Sequence, residues 1–220
     1  MMTVQSMYDL THTRARALLE CVTYPWEALG GIGEAIMQLG PTLDPAVYDH
    51  PQENVWIAKN ATVAPTASIT GPCIIGEKTE VRQCAFIRGN ALVGDGCVVG
   101  NSTELKNVIL FDGVQVPHYN YVGDSILGWH SHMGAGSITS NVKSDKSLVV
   151  IRDGEERVET GRKKVGAMLA DDVEIGCGSV LNPGTVVGRG SRVYPLTSVR
   201  GVIPAGHICK QDGTKVAIRG

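Results

Sequence analysis

Residues 57–105 read IAKNATVAPTASITGPCIIGEKTEVRQCAFIRGNALVGDGCVVGNSTEL. Every sixth residue is apolar and of core type: Ile57, Val63, Ile69, Ile75, Val81, Ile87, Val93, Val99 and Leu105. The same count carried onward meets Phe111 and Pro117. Glycine follows the repeat residue at Gly76, Gly94 and Gly100. The register then slips and resumes at Leu127 and Met133, and a second run reads Leu169, Ile175, Leu181, Val187, Val193 and Val199. Helices repeat every 3.6 residues and strands every 2, so neither explains a period of six. One short strand and one corner do. Three such units close a coil of about 18 residues, and successive coils stack with the apolar residue of each unit inside. The spacing predicts an all-β chain: a parallel β-helix of hexapeptide repeats.

Composition agrees. The chain has 220 residues, 43% of them hydrophobic, with 27 glycines and only two phenylalanines, which suits short strands and tight turns. The formal net charge of −2 gives no basic field for nucleic acid or an anionic membrane. No apolar run of spanning length and no basic-then-apolar leader pattern occurs, so a cytoplasmic protein with neither nucleic acid nor membrane as partner is expected. The six cysteines are scattered without a C-x-x-C pair, which reads as free thiols. No tightly bound metal is expected.

Residues 1–50 lack the six-residue period. Residues 13–22 and 31–39 read as short helices, and Pro25, Pro41, Pro45 and Pro51 break the segment into pieces. A helical N-terminal cap over 1–50 is expected, with Trp26 and Leu39 packed on the first coil over its open edge. The β-helix domain is placed at 51–201. It is interrupted at 142–164, where apolar and polar stretches flank Asp153-Gly154, a hairpin signal that makes this excursion a candidate lid. Residues 202–220 are expected to leave the repeat as a C-terminal tail.

Stacking brings residues one coil apart to within about 4.8 Å of each other. Arg88 and Lys106 are 18 apart and both follow an inward residue. Two cations at that distance repel unless an anion lies between them or a carboxylate such as Glu104 sits nearby, so the pair reads either as a phosphate site or as two solvated corners. His118 also follows an inward position, with Gly100 counted one coil below it, and a neutral imidazole in a cleft can act as a general base. Gly134-Ala135-Gly136 would let an extended ligand approach the backbone.

The stretch 101–141, NSTELKNVILFDGVQVPHYNYVGDSILGWHSHMGAGSITSN, carries an H-x-x-Y-x-G-D block followed by GAGSIT-x-N. It resembles the acetyltransferase domain of the bifunctional enzymes that make UDP-N-acetylglucosamine. With TGRKKVGAML (160–169), the resemblance covers about residues 55–205. It implies a left-handed winding, against the usual preference for right-handed crossovers. It also implies an acetyl-CoA-dependent N-acetyltransferase acting on an amino-sugar 1-phosphate of the glucosamine-1-phosphate type, working as a homotrimer with sites between neighbouring β-helices. Carried over position by position, the catalytic base falls on His118, the phosphate-binding pair on Arg88 and Lys106, and the sugar-contacting tyrosine on Tyr121. The asparagine that positions the reacting groups falls on Asn141, and the CoA contacts fall on Ala135 and Cys177. A sugar-contacting asparagine of the family is replaced by His132. A further family lysine falls in a region of altered length, where Lys143 or Lys146 stands. The uridylyltransferase half has no counterpart in residues 1–50, which contain no glycine-rich nucleotide loop, so nucleotidyl transfer is not expected.

Two other readings stay open. His118, His130 and His132 can be imagined as metal ligands of a β-helix enzyme, although His130-x-His132 would point to opposite sides of a strand. A non-catalytic β-helix that only binds or regulates is the other.

Overall fold

The structure, a computed structural model, describes residues 2–218. The chain winds into a left-handed parallel β-helix with three faces. The first face is built from Ser68–Ile69, Phe86–Ile87, the starts of Glu104–Leu110 and Tyr121–Leu127, Ile138–Thr139, Val180–Leu181 and Ser198–Val199. The second stacks Val55–Ala58, Cys73–Ile75, Ala91–Val93, the ends of Glu104–Leu110 and Tyr121–Leu127, Ala167–Leu169, Thr185–Val187 and Val202–Ile203. The third runs from Thr62–Val63 through Gln115–His118 and His132–Met133 to His207–Cys209.

Each inward residue sits on its counterpart one coil below. Ile75, Val93, Leu110, Leu127, Leu169, Val187 and Ile203 form one such column, all at 0% exposure. Burying each such side chain contributes about 1.5–3 kcal/mol. Regular coils span 18 residues, as in the pairing of Val81 with Val99. Two successive coils span 17, where Val93 pairs with Leu110 and Leu110 with Leu127, and the last step, from Val187 to Ile203, spans 16. The slip therefore lies between Leu105 and Leu110, earlier than the six-residue count places it. Phe111 and Pro117 are one position beyond the inward residues Leu110 and Val116, although both are buried. The physical cause is a shorter corner. Ile87 to Val93 turns through Gly89 (φ 91°) and Asn90 (φ 48°), whereas Leu105 to Leu110 turns through Asn107 (φ 55°) alone. Asp124 (φ 48°) repeats the short corner one coil later.

The second face is buried on both sides. Its outward column includes Trp56, Ile74, Leu92, Ile109, Ile126, Met168 and Val186, and the N-terminal segment lies over it. Continuous apolar triplets rather than alternation mark such a doubly covered strand. Residues 2–43 therefore clasp the side of the coil rather than its end. The helix Ile32–Leu39 packs on Ala91–Val93 and Glu104–Leu110. His12 O accepts from Asp112 N–H at 3.0 Å, and Met7 O accepts from Asp171 N–H at 3.1 Å. The open N-terminal edge is closed instead by Tyr48–Gln52, antiparallel to Val55–Ala58. The coil also continues past residue 201. Val202–Ile203 and His207–Cys209 are regular rungs, and Lys215–Ala217 then folds back antiparallel on the last.

The excursion leaves the corner after the first face. A bridge between Val142 and Lys164 closes its base, and Val150–Asp153 pairs with Glu156–Glu159 as a hairpin. Val149 and Ile151 are buried against the corner at Gly184, so the hairpin lies over the later coils. Among the described residues no helix is long and apolar enough to cross a membrane.

Burial pushes the thiols of Cys73 and Cys97 up to about 12, while Cys21, Cys84 and Cys177 are exposed. The thiolate is the reactive species. In the folded protein at pH 8, a thiol reagent should label Cys21, Cys84 and Cys177 and spare Cys73 and Cys97 until denaturant is added. Peptide mapping that finds Cys97 labelled as fast as Cys84 would contradict this packing.

Candidate active site

The two ends of the first face carry different chemistry. At its entry corner, backbone hydrogen bonds climb from coil to coil: Tyr119 N–H to Asn101 O at 2.9 Å, Gly136 N–H to His118 O at 2.9 Å, Gly178 N–H to Ala135 O at 2.9 Å and Leu196 N–H to Cys177 O at 2.9 Å. His118, Ala135 and Cys177 thus stand in one column on successive coils. All three are exposed. The residue below His118 is Asn101, not Gly100. Gly100 lies under the Pro117 backbone, where an added Cβ would fall 1.6 Å from the Pro117 carbonyl oxygen.

Asn120 fixes this corner. It is 2% exposed, accepts from His118 N–H at 3.1 Å, and donates to Gly134 O at 2.9 Å and Ser137 O at 3.0 Å. One buried amide therefore ties His118 to both ends of the Gly134–Ser137 corner above it. Removing it would take this partner from the His118 N–H and the Ser137 carbonyl, at about 1–3 kcal/mol for each group left buried and unpaired, while the Gly134 carbonyl keeps the Ser137 N–H and hydroxyl.

At the exit corner stand Arg88, Lys106, Asp124 and Asn141. Arg88 N–H donates to Leu105 O at 2.9 Å, so Arg88 and Lys106 do follow stacked residues. Each has its own carboxylate. Arg88 meets Glu104 at 2.7 Å in an exposed pair. Lys106 meets Asp124 at 3.2 Å, and the Asp124 side chain is only 7% exposed. Asp124 also accepts from Asn107 at 3.0 Å and from Asn141 at 2.5 Å. Asn141 reaches the Tyr121 hydroxyl at 3.3 Å. Lys106, Tyr121 and Asn141 are thus gathered around a buried carboxylate. Gly123, the residue directly above Lys106, makes room for this, since a Cβ there would lie 2.5 Å from the Tyr121 hydroxyl. Burial, then the charges of Asp124 and Glu104, raise the Tyr121 hydroxyl above its ordinary value, so it stays protonated at neutral pH.

Other candidates lie elsewhere. His132 is on the third face, its Nδ1 2.8 Å from Glu174. His130 stacks on Trp129 with ring centroids 4.1 Å apart. Among the described residues no group of three or more His, Cys, Asp or Glu converges as a metal site. Lys143 lies in the excursion, bonded to Ser147 and 3.6 Å from Asp145, and Lys146 is exposed on the same loop. Neither touches the Asp124 cluster.

Sequence reasoning missed Asp124 and Asn120. The signal for Asp124 was present as the last residue of the H-x-x-Y-x-G-D block. Asn120 gave none, because the carbonyls to which it donates lie 14 and 17 residues away.

Comparison with known proteins agrees with the resemblance read from the sequence. A bifunctional GlmU protein of Methanococcus maripaludis is 31% identical over 176 residues, which span 78% of this chain and 42% of that protein. A bifunctional sugar-1-phosphate nucleotidylyltransferase/acetyltransferase of Sulfurisphaera tokodaii is 29% identical over 162 residues, 65% of this chain and 40% of that protein. The chain thus spans less than half the length of these curated relatives. Among solved structures, a hexapeptide transferase family protein from Anaplasma phagocytophilum aligns with a TM-score of 0.42 at 16% identity, covering 76% of this chain and 81% of that one. The family model described as GMPPB C-terminal domain matches residues 69–187. That span is more than half of the chain and holds every candidate from Arg88 to Cys177, and the chain belongs to this family.

Proposed function

We propose that the chain is an acetyl-CoA-dependent N-acetyltransferase whose acceptor is an amino-sugar 1-phosphate, of use in UDP-N-acetylhexosamine synthesis. The observation that carries this reading is the placement of His118, Ala135 and Cys177 at one end of the first face, with Arg88, Lys106, Tyr121 and Asn141 at the other. Anion-binding groups and a free imidazole bracket the outer surface of a single strand, Tyr121–Val122. Such a surface suits a small acceptor that is charged at one end and nucleophilic at the other.

In this mechanism Arg88 exchanges Glu104 for the acceptor phosphate, and Lys106 presents its charge from the Asp124 pair. Tyr121 bonds the sugar. Holding the acceptor in register turns a two-substrate encounter into a positioned attack. The neutral amine attacks the thioester carbonyl of acetyl-CoA laid along the Ala135 and Cys177 column, and a tetrahedral oxyanion forms. His118 takes the proton released from the nitrogen. Asn141 or a corner N–H donates to the oxyanion. Collapse forms the amide, breaks the C–S bond and expels CoA thiolate, which receives the proton from His118. No acyl-enzyme is required. Cys177 lies in the column without an adjacent base.

The proposal includes a homotrimer in which neighbouring copies face one another across these corners. His132, on the adjoining face, and Lys143 or Lys146, on the excursion, belong to the acceptor pocket only in that shared form. Residues 2–43 form the clasp on the second face, and no nucleotidyl transfer is assigned to them.

His118→Ala should lower kcat by about 10²–10⁴ and leave CoA affinity nearly unchanged. Turnover at the wild-type rate in a thiol-release assay would remove His118 from the mechanism.

Arg88→Ala should chiefly raise the acceptor KM. The same assay run with glucosamine-1-phosphate and galactosamine-1-phosphate identifies the epimer. Thiol release from neither would favour a binding module over an enzyme.

Saturating CoA should slow alkylation of Cys177 several-fold without affecting Cys21. Equal protection of both, or of neither, would mean that CoA does not lie along this column.

A further inference from the structure

A cavity of about 350 Å³ lies where the excursion hairpin rests on the later coils, lined by Lys143, Val150, Arg152, Pro183, Arg200 and Gly201. Three of these six residues are cationic and none is acidic. Lys143 has Asp145 at 3.6 Å. Among the described residues, neither Arg152 nor Arg200 has a carboxylate partner.

The backbone that carries the two arginines is fixed by packing. Ile151 is fully buried, which anchors the strand that carries Arg152. Gly201 has φ 70°, and a Cβ there would lie 2.7 Å from the Arg152 carbonyl oxygen, so the hairpin backbone is seated directly on the corner that follows Arg200. Two exposed arginines are thereby brought to the lining of one cavity by elements far apart in sequence. Like charges so placed repel unless an anion joins them.

The Arg152–Arg200 end of the cavity is distinct from the acceptor cluster, whereas Lys143, at its other end, follows Asn141 by two residues. The rungs run from Leu105 through Val122, Thr139 and Leu181 to Val199, four steps of about 4.8 Å, so Arg200 lies roughly 19 Å along the coil axis from Lys106. A single sugar 1-phosphate does not span that distance. The volume lies within the usual range for small-molecule sites, and arginine forks suit bidentate contact with phosphate oxygens. Three positive charges match a diphosphate better than a monophosphate.

We infer that the Lys143–Arg152–Arg200 cavity is a second anion site, which binds the diphosphate group of a nucleotide. That group has two sources, a nucleoside diphosphate or the diphosphate of CoA itself, and the chemistry of recognition is the same for both. With a free nucleotide as its ligand the site stands independently of acetyl transfer, and with CoA it rests on the proposed function.

Calorimetric titration of the full chain at low ionic strength with inorganic pyrophosphate, UDP and CoA tests the inference. Pyrophosphate should bind, and Arg152→Gln and Arg200→Gln should each weaken it at least tenfold, with Arg200→Lys partly restoring it. Arg16→Gln, in an exposed pair on the N-terminal segment, should leave it unchanged. Arg152 and Arg200 are exposed, and an unchanged melting temperature checks that the variants fold. UDP bound with the same sensitivity assigns the site to a free nucleotide. UDP silent while Arg152→Gln and Arg200→Gln weaken CoA assigns it to the cofactor. No binding of any of the three at millimolar concentration, binding indifferent to both of those substitutions, or binding weakened as much by Arg16→Gln would overturn the proposal.

Discussion

Each inward side chain of the coil must rest on the one below it while the strand that carries it completes a parallel ladder. That double requirement fixes the register of every strand, because a shift of one residue exchanges the inner and outer faces. Length can vary only at corners. The structure uses one corner for nearly all of its variation. The turn after the first face loses a residue at Asn107 and again at Asp124, then takes in the whole excursion between Val142 and Lys164. The turn at His118, Ala135 and Cys177 keeps an unbroken ladder of backbone bonds. The fold thus supplies a rigid column and a variable one at opposite ends of the same short strand. On the proposed function, the first would carry the catalytic geometry and the second the choice of acceptor.

The period of six made the architecture legible from sequence, because a burial requirement repeated on every face leaves the same mark on every face. It could not locate the slip. Phe111 and Pro117 are apolar and buried, so a side of five residues followed by an apolar one counts the same as a side of six. Only the pairing of Leu110 with Val93 separates them, and it moves the neighbour of His118 from Gly100 to Asn101. The clasp had a visible signature in the triplets at Cys73–Ile75, Ala91–Val93 and Ala167–Leu169, which do not alternate because the N-terminal segment covers their outer side. The basic cavity had none. Lys143, Arg152 and Arg200 line one cavity because Val149 and Ile151 dock on Gly184, a contact between residues that no local pattern connects.

The cations at the exit corner look equivalent in sequence and are not equivalent in space. The Arg88–Glu104 pair is exposed, and such pairs contribute only about 0–1 kcal/mol, so Arg88 can change partners at little cost. Lys106 is bound to a carboxylate that is almost wholly covered and held by two asparagines. Breaking a buried pair by removing one member typically costs about 3–5 kcal/mol, because the other charge is left without compensation. Lys106 therefore cannot leave Asp124 to follow a ligand, and it acts from a fixed point. Arg88 is free to close over whatever arrives. An anion at this corner meets one cation already in place and one that moves to it, and the net charge of the cluster changes only by the release of Glu104. On the proposed function, recognition there would depend on the buried Asp124, which holds Lys106 and Asn141 in position.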